Sequence, residues 1–196
     1  MQEAEAGSLD LYALDESGFL PTWPTSYTWA RQGARARVPY QASEGRRVNA
    51  IGAVAPRGPQ PRLVWRSSPG KLDSAVFLDF LWRDVAGLPA PPDELPAGYC
   101  RSRPCVVVLD NYSVHKSGVV KAACAQLEAA GVILHFLPPY SPELNPMELV
   151  WRHAKYETAP IRSYQDLDAL HAAVDQTLAA YAQHLSNPTR NLCEAA

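Results

Sequence analysis

No stretch of this 196-residue sequence approaches the run of about 20 apolar residues that a membrane-spanning helix needs. A secretion signal is missing too. Met1 to Gly7 is acidic and polar, without a positive start or an apolar middle, so a cytoplasmic location is the expectation. Cysteine is sparse: Cys100, Cys105, Cys124 and Cys193 share no CxxC or CxxH spacing, which argues against both a zinc knuckle and a disulfide framework. There is no internal repeat. The one biased stretch, Leu88 to Pro104, carries five prolines, which exclude a helix or a central strand and mark a long surface loop.

A basic excess is also lacking, since the net charge is -2, and that weighs against a simple polyanion binder. The average hides an asymmetry. Between Arg31 and Lys71 stand nine basic residues (Arg31, Arg35, Arg37, Arg46, Arg47, Arg57, Arg62, Arg66, Lys71) against one acid, Glu44, a local net of +8. Such a segment can face a polyanion or be a solvated arginine-rich surface, and charge alone does not choose.

What is present is ordinary for a globular domain: 47% hydrophobic and 19% charged residues, in a length that fits one domain with a real core. Leu9 to Glu16 alternates, with Leu9, Leu11, Ala13 and Asp15 on one face, and ends at Ser17-Gly18, so it reads as a strand that delivers Asp15 to its end. Tyr27 to Trp29, Arg37 to Tyr40, Val48 to Ala55 and Leu63 to Trp65 read as further strands of an antiparallel meander. Asp73 or Ser74 can cap a helix running to about Ala86. Cys105 to Leu109 is a continuous β-branched run, the pattern of a strand buried on both faces, and Asp110 ends it. A helix from Ser117 to Ala130, stopped by Gly131, leads into the strand Val132 to Phe136; such a unit places its two strands parallel in one sheet. Ser141-Pro142 and Asn145-Pro146 are successive helix starts, the second opening the longer helix. A last helix, capped by Ser163, carries an apolar stripe from Leu167 to Leu185. This is an α/β order.

Two strand ends thus supply Asp15 and Asp110, and a helix starting beside them supplies Glu148. Hard divalent cations that neutralise a phosphodiester and activate an oxygen nucleophile need such carboxylates. Each acid also has a plainer reading, as a turn residue after a strand or, for Glu148 three residues beyond Asn145, as part of a capping box.

The surrounding words are more specific. Asp15-Glu16-Ser17-Gly18-Phe19 and Tyr27-Thr28-Trp29-Ala30-Arg31-Gln32-Gly33, then Val108-Leu109-Asp110-Asn111-Tyr112-Ser113-Val114-His115, then Leu137-Pro138-Pro139-Tyr140-Ser141-Pro142-Glu143-Leu144-Asn145-Pro146-Met147-Glu148 followed by Trp151, resemble in order the catalytic domain of the mariner-like DDE transposase superfamily, particularly its bacterial insertion-sequence-630 family. Thirty-seven residues separate Asp110 from Glu148, close to the compact spacing of that group.

The resemblance implies a ribonuclease-H-like fold, a mixed five-stranded sheet flanked by helices, as one catalytic domain over residues 1–196. It implies Asp15, Asp110 and Glu148 as a metal-binding triad for two Mg²⁺ ions, replaceable by Mn²⁺, that cleave DNA at transposon ends and transfer the 3′-hydroxyl into target DNA. DNA is the implied partner, in a homodimer, within a bacterial cytoplasm and associated with the nucleoid when DNA-bound. Asn111 and His115 match the second motif and are candidates for positioning a phosphate or a water beside the ligands, with a turn hydrogen bond as the plainer reading. Arg31, Arg35, Arg37, Arg46, Arg47 and Lys155 are candidate phosphate contacts. Glu16 rivals Asp15, but one step along a strand reverses the face, so Asp15 is the expected ligand. The N-terminal helix-turn-helix DNA reader of such transposases finds no room in the dozen or so residues before the first strand. Two alternatives stay open: a remnant or recruited module that binds DNA or protein without catalysis, and a same-fold nuclease that cuts without joining.

Overall fold

The structure, a computed structural model, describes residues 2–22, 29–37, 40, 42–158 and 164–186. A short helix α1 (Gln2–Glu5) precedes strand β1 (Asp10–Phe19). Strands β2 (Val48–Ala55) and β3 (Arg62–Ser68) follow, then helix α2 (Ser74–Phe80), strand β4 (Cys105–Leu109), helix α3 (Gly118–Ala129), strand β5 (Val132–Phe136), helix α4 (Met147–His153) and helix α5 (Leu167–Ser186). The strands form one sheet in the order β3-β2-β1-β4-β5. β1, β2 and β3 pair antiparallel, whereas β1, β4 and β5 run parallel, so the sheet is mixed.

Local chemistry explains most boundaries. Asp73 caps α2, its carboxylate accepting from the backbone N–H groups of Ala75 and Val76 at 3.0 Å each. A widened π-type turn, Leu81–Val85, prolongs that helix to the expected stop. Ser117 caps α3 through the Val120 N–H, and Gly131, at φ 82°, provides the left-handed residue that turns the chain into β5. Pro142–Leu144 forms a single 3₁₀ turn, so the second of the two proline-marked starts does open the longer helix. Of the expected strands from Tyr27 to Trp29 and from Arg37 to Tyr40, residues 27–28 and 38–39 lie outside the described residues, and the described Trp29, Arg37 and Tyr40 lie in irregular chain. Trp29 is fully exposed and Tyr40 largely so, so no sheet face gathers their apolar surface. Ser163 also lies outside them; α5 is capped instead by Asp166, whose carboxylate accepts from the Ala169 N–H.

Alternation along β1 and β2 divides two cores. Tyr12, Leu14, Ile51 and Ala53 face α2 and α3 with Val107 and Leu109. Ala13, Ala50 and Val54 face α4 and α5, against Met147, Trp151, Leu170 and Val174. Helices thus cover both faces of the sheet, each burying one side against it. Among the described residues no helix is long and apolar enough to cross a membrane.

Candidate active site

The register places the first two acids together. Ala13 is level with Val108 across the parallel β1–β4 pair, so two residues further along each strand Asp15 is level with Asp110. Neighbouring strands lie about 4.8 Å apart. β4 ends at Leu109 while β1 continues to Phe19 alongside β2, so Asp110 leaves the sheet where Asp15 is still held in it.

Glu148 arrives through packing. Gly52 of β2 pairs with Asp15 across β1–β2. A Cβ built at Gly52 would lie 2.5 Å from Met147 Cε, the end of a flexible side chain, and 3.1 Å from Trp151, so these two side chains of α4 pack directly against the bare backbone of β2. Two hydrogen bonds then tie α4 to β1. Trp151, buried, donates its indole N–H to Asp15 Oδ2 at 3.1 Å. Asn145, also buried, donates its amide to the Leu14 carbonyl at 3.0 Å, while its own Oδ1 accepts from the Met147 N–H. The Asn145 N–H goes to the Pro142 carbonyl at 2.9 Å rather than to a Glu148 carboxylate, so Glu148 is not spent on a capping box. Asp15, Asp110 and Glu148 line one cavity of about 430 Å³ with Asn111, Tyr112, Asn145 and the Leu137 to Pro142 loop.

Behind Asp110 lies a buried imidazole. His115 Nε2 is 2.9 Å from Glu16 Oε1, and its Nδ1 is 3.0 Å from Asp110 Oδ1. Burial works against a charge on this ring, but the hydrogen bond and charge of Glu16, with those of Asp110, outweigh it and hold the pKa above the ordinary histidine value. Asp15 is displaced further. Burial first, then the neighbouring charges of Glu16, Glu148 and Asp110, push its carboxyl up to about 7 against the lowering effect of the Glu16 backbone hydrogen bond. Lys155 is shifted down by burial and by the charge of Arg47, which outweigh the opposing pull of Glu148 and Asp15; its Nζ lies 5.2 Å over the Phe19 ring.

Other expected residues are placed as follows. Asn111 lines the cavity and donates to the Leu137 carbonyl, joining the ends of β4 and β5. Arg46 is turned away, bonded to the carbonyls of Gln165, Ala42 and Ser43 and paired with Glu44. Arg31, Arg35 and Arg37 are exposed on irregular chain. Asp15 and Glu16 do face opposite sides of the sheet, as alternation requires. Glu16 nevertheless joins the site, through His115 and along a second cavity it lines with Asp15 and Asp110. The signal for it was a histidine in the segment after β4, on the face that Glu16 itself takes.

A divalent cation fits this donor set: three hard carboxylates on one cavity, with a half-buried Asp15 whose carboxyl is pushed up by desolvation first and by the neighbouring negative charges after it. Among the described residues no three acidic, histidine or cysteine side chains are already gathered as a ligand cluster. Asp15 and Asp110 are instead engaged by Trp151 and His115.

A mixed sheet flanked by helices, with one acid within β1, a second just past the end of β4 and a third on a helix laid beside them, is the arrangement of a ribonuclease-H-like fold. Residues 10–171 match the model of the DDE superfamily endonucleases, and the chain belongs to that family. Solved structures share the fold. The Mos1 strand transfer complex aligns with a TM-score of 0.58 at 13% identity, over 95% of this chain and 52% of that one. The Mos1 mariner paired end complex with Mn gives 0.59 at 15%, over 91% and 51%, and the corresponding complex with Mg gives 0.54 at 15%, over 90% and 50%. This chain therefore spans about half the length of the structures it matches. No curated protein matches the sequence.

Proposed function

We propose that this chain is the catalytic domain of a DNA transposase, which cuts phosphodiesters at transposon ends and joins the freed 3′-hydroxyl to target DNA. The observation that carries the proposal is the convergence of Asp15, Asp110 and Glu148, from β1, β4 and α4, on one cavity. The 137–148 string favours a transposase of the insertion-sequence-630 type over a general nuclease, and the likeness to Mos1 complexes with transposon ends favours DNA as partner; a homodimer on that DNA is proposed from the family resemblance of the sequence alone.

Mg²⁺, or Mn²⁺ in its place, would be held by the three carboxylates and would supply charge neutralisation on the phosphate and activation of the attacking oxygen. The chain's own residues prepare for that role. The Trp151 N–H holds Asp15 Oδ2, so the carboxylate is aimed before any ligand arrives. His115 holds Asp110 and Glu16 from behind, and in its protonated form offsets their charge. Asn145 fixes the start of α4 to β1 and with it the distance between Glu148 and Asp15.

The test is Mn²⁺-dependent nicking of a plasmid carrying transposon ends, scored also for joined products. Nicking and joining in the wild type, both lost in Asp110→Ala and Glu148→Ala, are expected. Nicking without joining would establish the nuclease instead, and a folded wild type inert in both assays would favour the non-catalytic module.

A further inference from the structure

Two cavities meet at the carboxylates. The one described above runs toward Tyr140 and Pro142 between uncharged side chains. The second, about 500 Å³, shares Asp15, Asp110 and Tyr112 with it and continues past Gly18 to Arg47, Asn49 and Lys71. Together they form a trough with the acids at its middle, one neutral arm and one cationic arm.

Among the described residues Arg57 pairs with Glu5, Arg66 with Asp79 and Asp84, and Arg46 with Glu44. Arg62 lies over the Tyr12 ring at 5.1 Å. Arg47 and Lys71 form no ion pair among the described residues and open onto the trough. Both are exposed.

Arg47 is also seated. Gly18 pairs with Asn49 across β1–β2, and a Cβ at Gly18 would fall 2.2 Å from Arg47 Nη2 and 2.3 Å from Cζ and Nε. The guanidinium therefore lies in the space that a side chain at position 18 would fill. Gly18 is three residues beyond Asp15 on the same strand, about 10 Å away. That is a few nucleotide steps at about 3.4 Å of rise each.

We infer that Arg47 and Lys71 grip phosphates of the DNA strand next to the one being cut, so that the strand enters over the cationic arm, crosses the carboxylates and leaves along the neutral arm. The inference rests on the DNA-processing function proposed above and adds the path of the strand. Arg47 offers a planar set of donors suited to a phosphate, and Lys71 a mobile point charge beside it.

The experiment is the salt dependence of binding to a short fluorescein-labelled duplex, followed by anisotropy in Ca²⁺. It compares the wild type with Arg47→Ala, Lys71→Ala, the double variant, Gly18→Ala, and Arg57→Ala as a control paired with Glu5 outside the trough. Calorimetry of Mn²⁺ binding accompanies each. The logarithmic salt slope is expected to fall by about 0.9 for each of the two cations removed, and not in Arg57→Ala. Gly18→Ala, which removes no charge and suits the ordinary backbone there, should weaken DNA binding by displacing the guanidinium. Mn²⁺ binding should be undiminished in the Arg47 and Lys71 variants. An unchanged slope in the double variant, or a wild type that binds no duplex, overturns the inference; unchanged binding in Gly18→Ala overturns the seating of Arg47. Slopes that shift as expected in a protein that binds no Mn²⁺ would support the phosphate grip and count against the proposed catalysis.

Discussion

Asp15 carries the largest electrostatic cost at the site. Its carboxyl, pushed up to about 7 from 3.8, holds its proton more tightly in the fold than in the unfolded chain. Unfolding therefore releases a proton between about pH 4 and pH 7, stability falls as pH rises through that window, and the penalty is fully present above it. Asp15→Asn keeps an oxygen for the Trp151 N–H but cannot ionise. In the absence of metal it should melt higher than the wild type at pH 8 and about equally at pH 4, while losing the stabilisation that Mn²⁺ gives; thermal melts with and without Mn²⁺ check this. Because a cation must displace that proton, wild-type Mn²⁺ affinity should strengthen as pH rises through 7 and then level off. His115 has the opposite charge type. Its raised pKa gives stability that is complete below the unfolded value and lost as pH rises through the folded one. His115→Ala removes a buried ring that packs 4.5 Å from Phe77 and releases Glu16 and Asp110 together. We expect a loss of about 2–4 kcal/mol in urea melts, and in His115→Gln, which keeps hydrogen bonds, a loss of about 10-fold or more in Mn²⁺ affinity with a smaller change in stability.

At the scale of elements, the site depends on how closely α4 lies on the sheet. Gly52→Val would drive a branched side chain into Met147 and Trp151, lifting α4 and carrying Glu148 away from Asp15. Overpacking of this kind costs about 1–3 kcal/mol, so the variant should keep its far-ultraviolet circular dichroism yet bind Mn²⁺ poorly; unimpaired binding would show that α4 does not set the spacing. Asn145→Ala would leave the buried Leu14 carbonyl and the Met147 N–H without their partner, at about 1–3 kcal/mol, measurable in the same melts. These ties also mark the limit of what sequence shows. The strands Val106 to Leu109 and Val132 to Phe136, their parallel pairing and the caps at Asp73 and Ser117 were legible because each rests on a local pattern of branching, charge or turn chemistry. Trp151 on Asp15, Asn145 on Leu14 and His115 on Glu16 join residues about 100 or more positions apart, and only the packed sheet brings them together. Tyr40, in a stretch that reads as a strand from Arg37, is largely exposed in irregular chain, because an aromatic gains from a strand spacing only where a sheet edge accepts it.

For the whole molecule, the basic segment from Arg31 to Lys71 explains less by its total than by its distribution. Several of its arginines close internal pairs, and only Arg47 and Lys71 of those described reach the trough beside the acids. The three acids were legible as a set because each sits within a distinctive string, although β1 runs on past the expected stop at Ser17-Gly18 and leaves Asp15 within the strand, whereas Glu16 was hidden by the alternation that correctly separates it from Asp15. That Asp15, Asp110 and Glu148 share one metal site is tested most directly by isothermal calorimetry of Mn²⁺ binding, with and without DNA ends, to the wild type and to Asp15→Ala, Asp110→Ala and Glu148→Ala. Binding in the wild type that each substitution weakens is the expected result. A folded wild type that takes up no Mn²⁺ even with DNA present would contradict it.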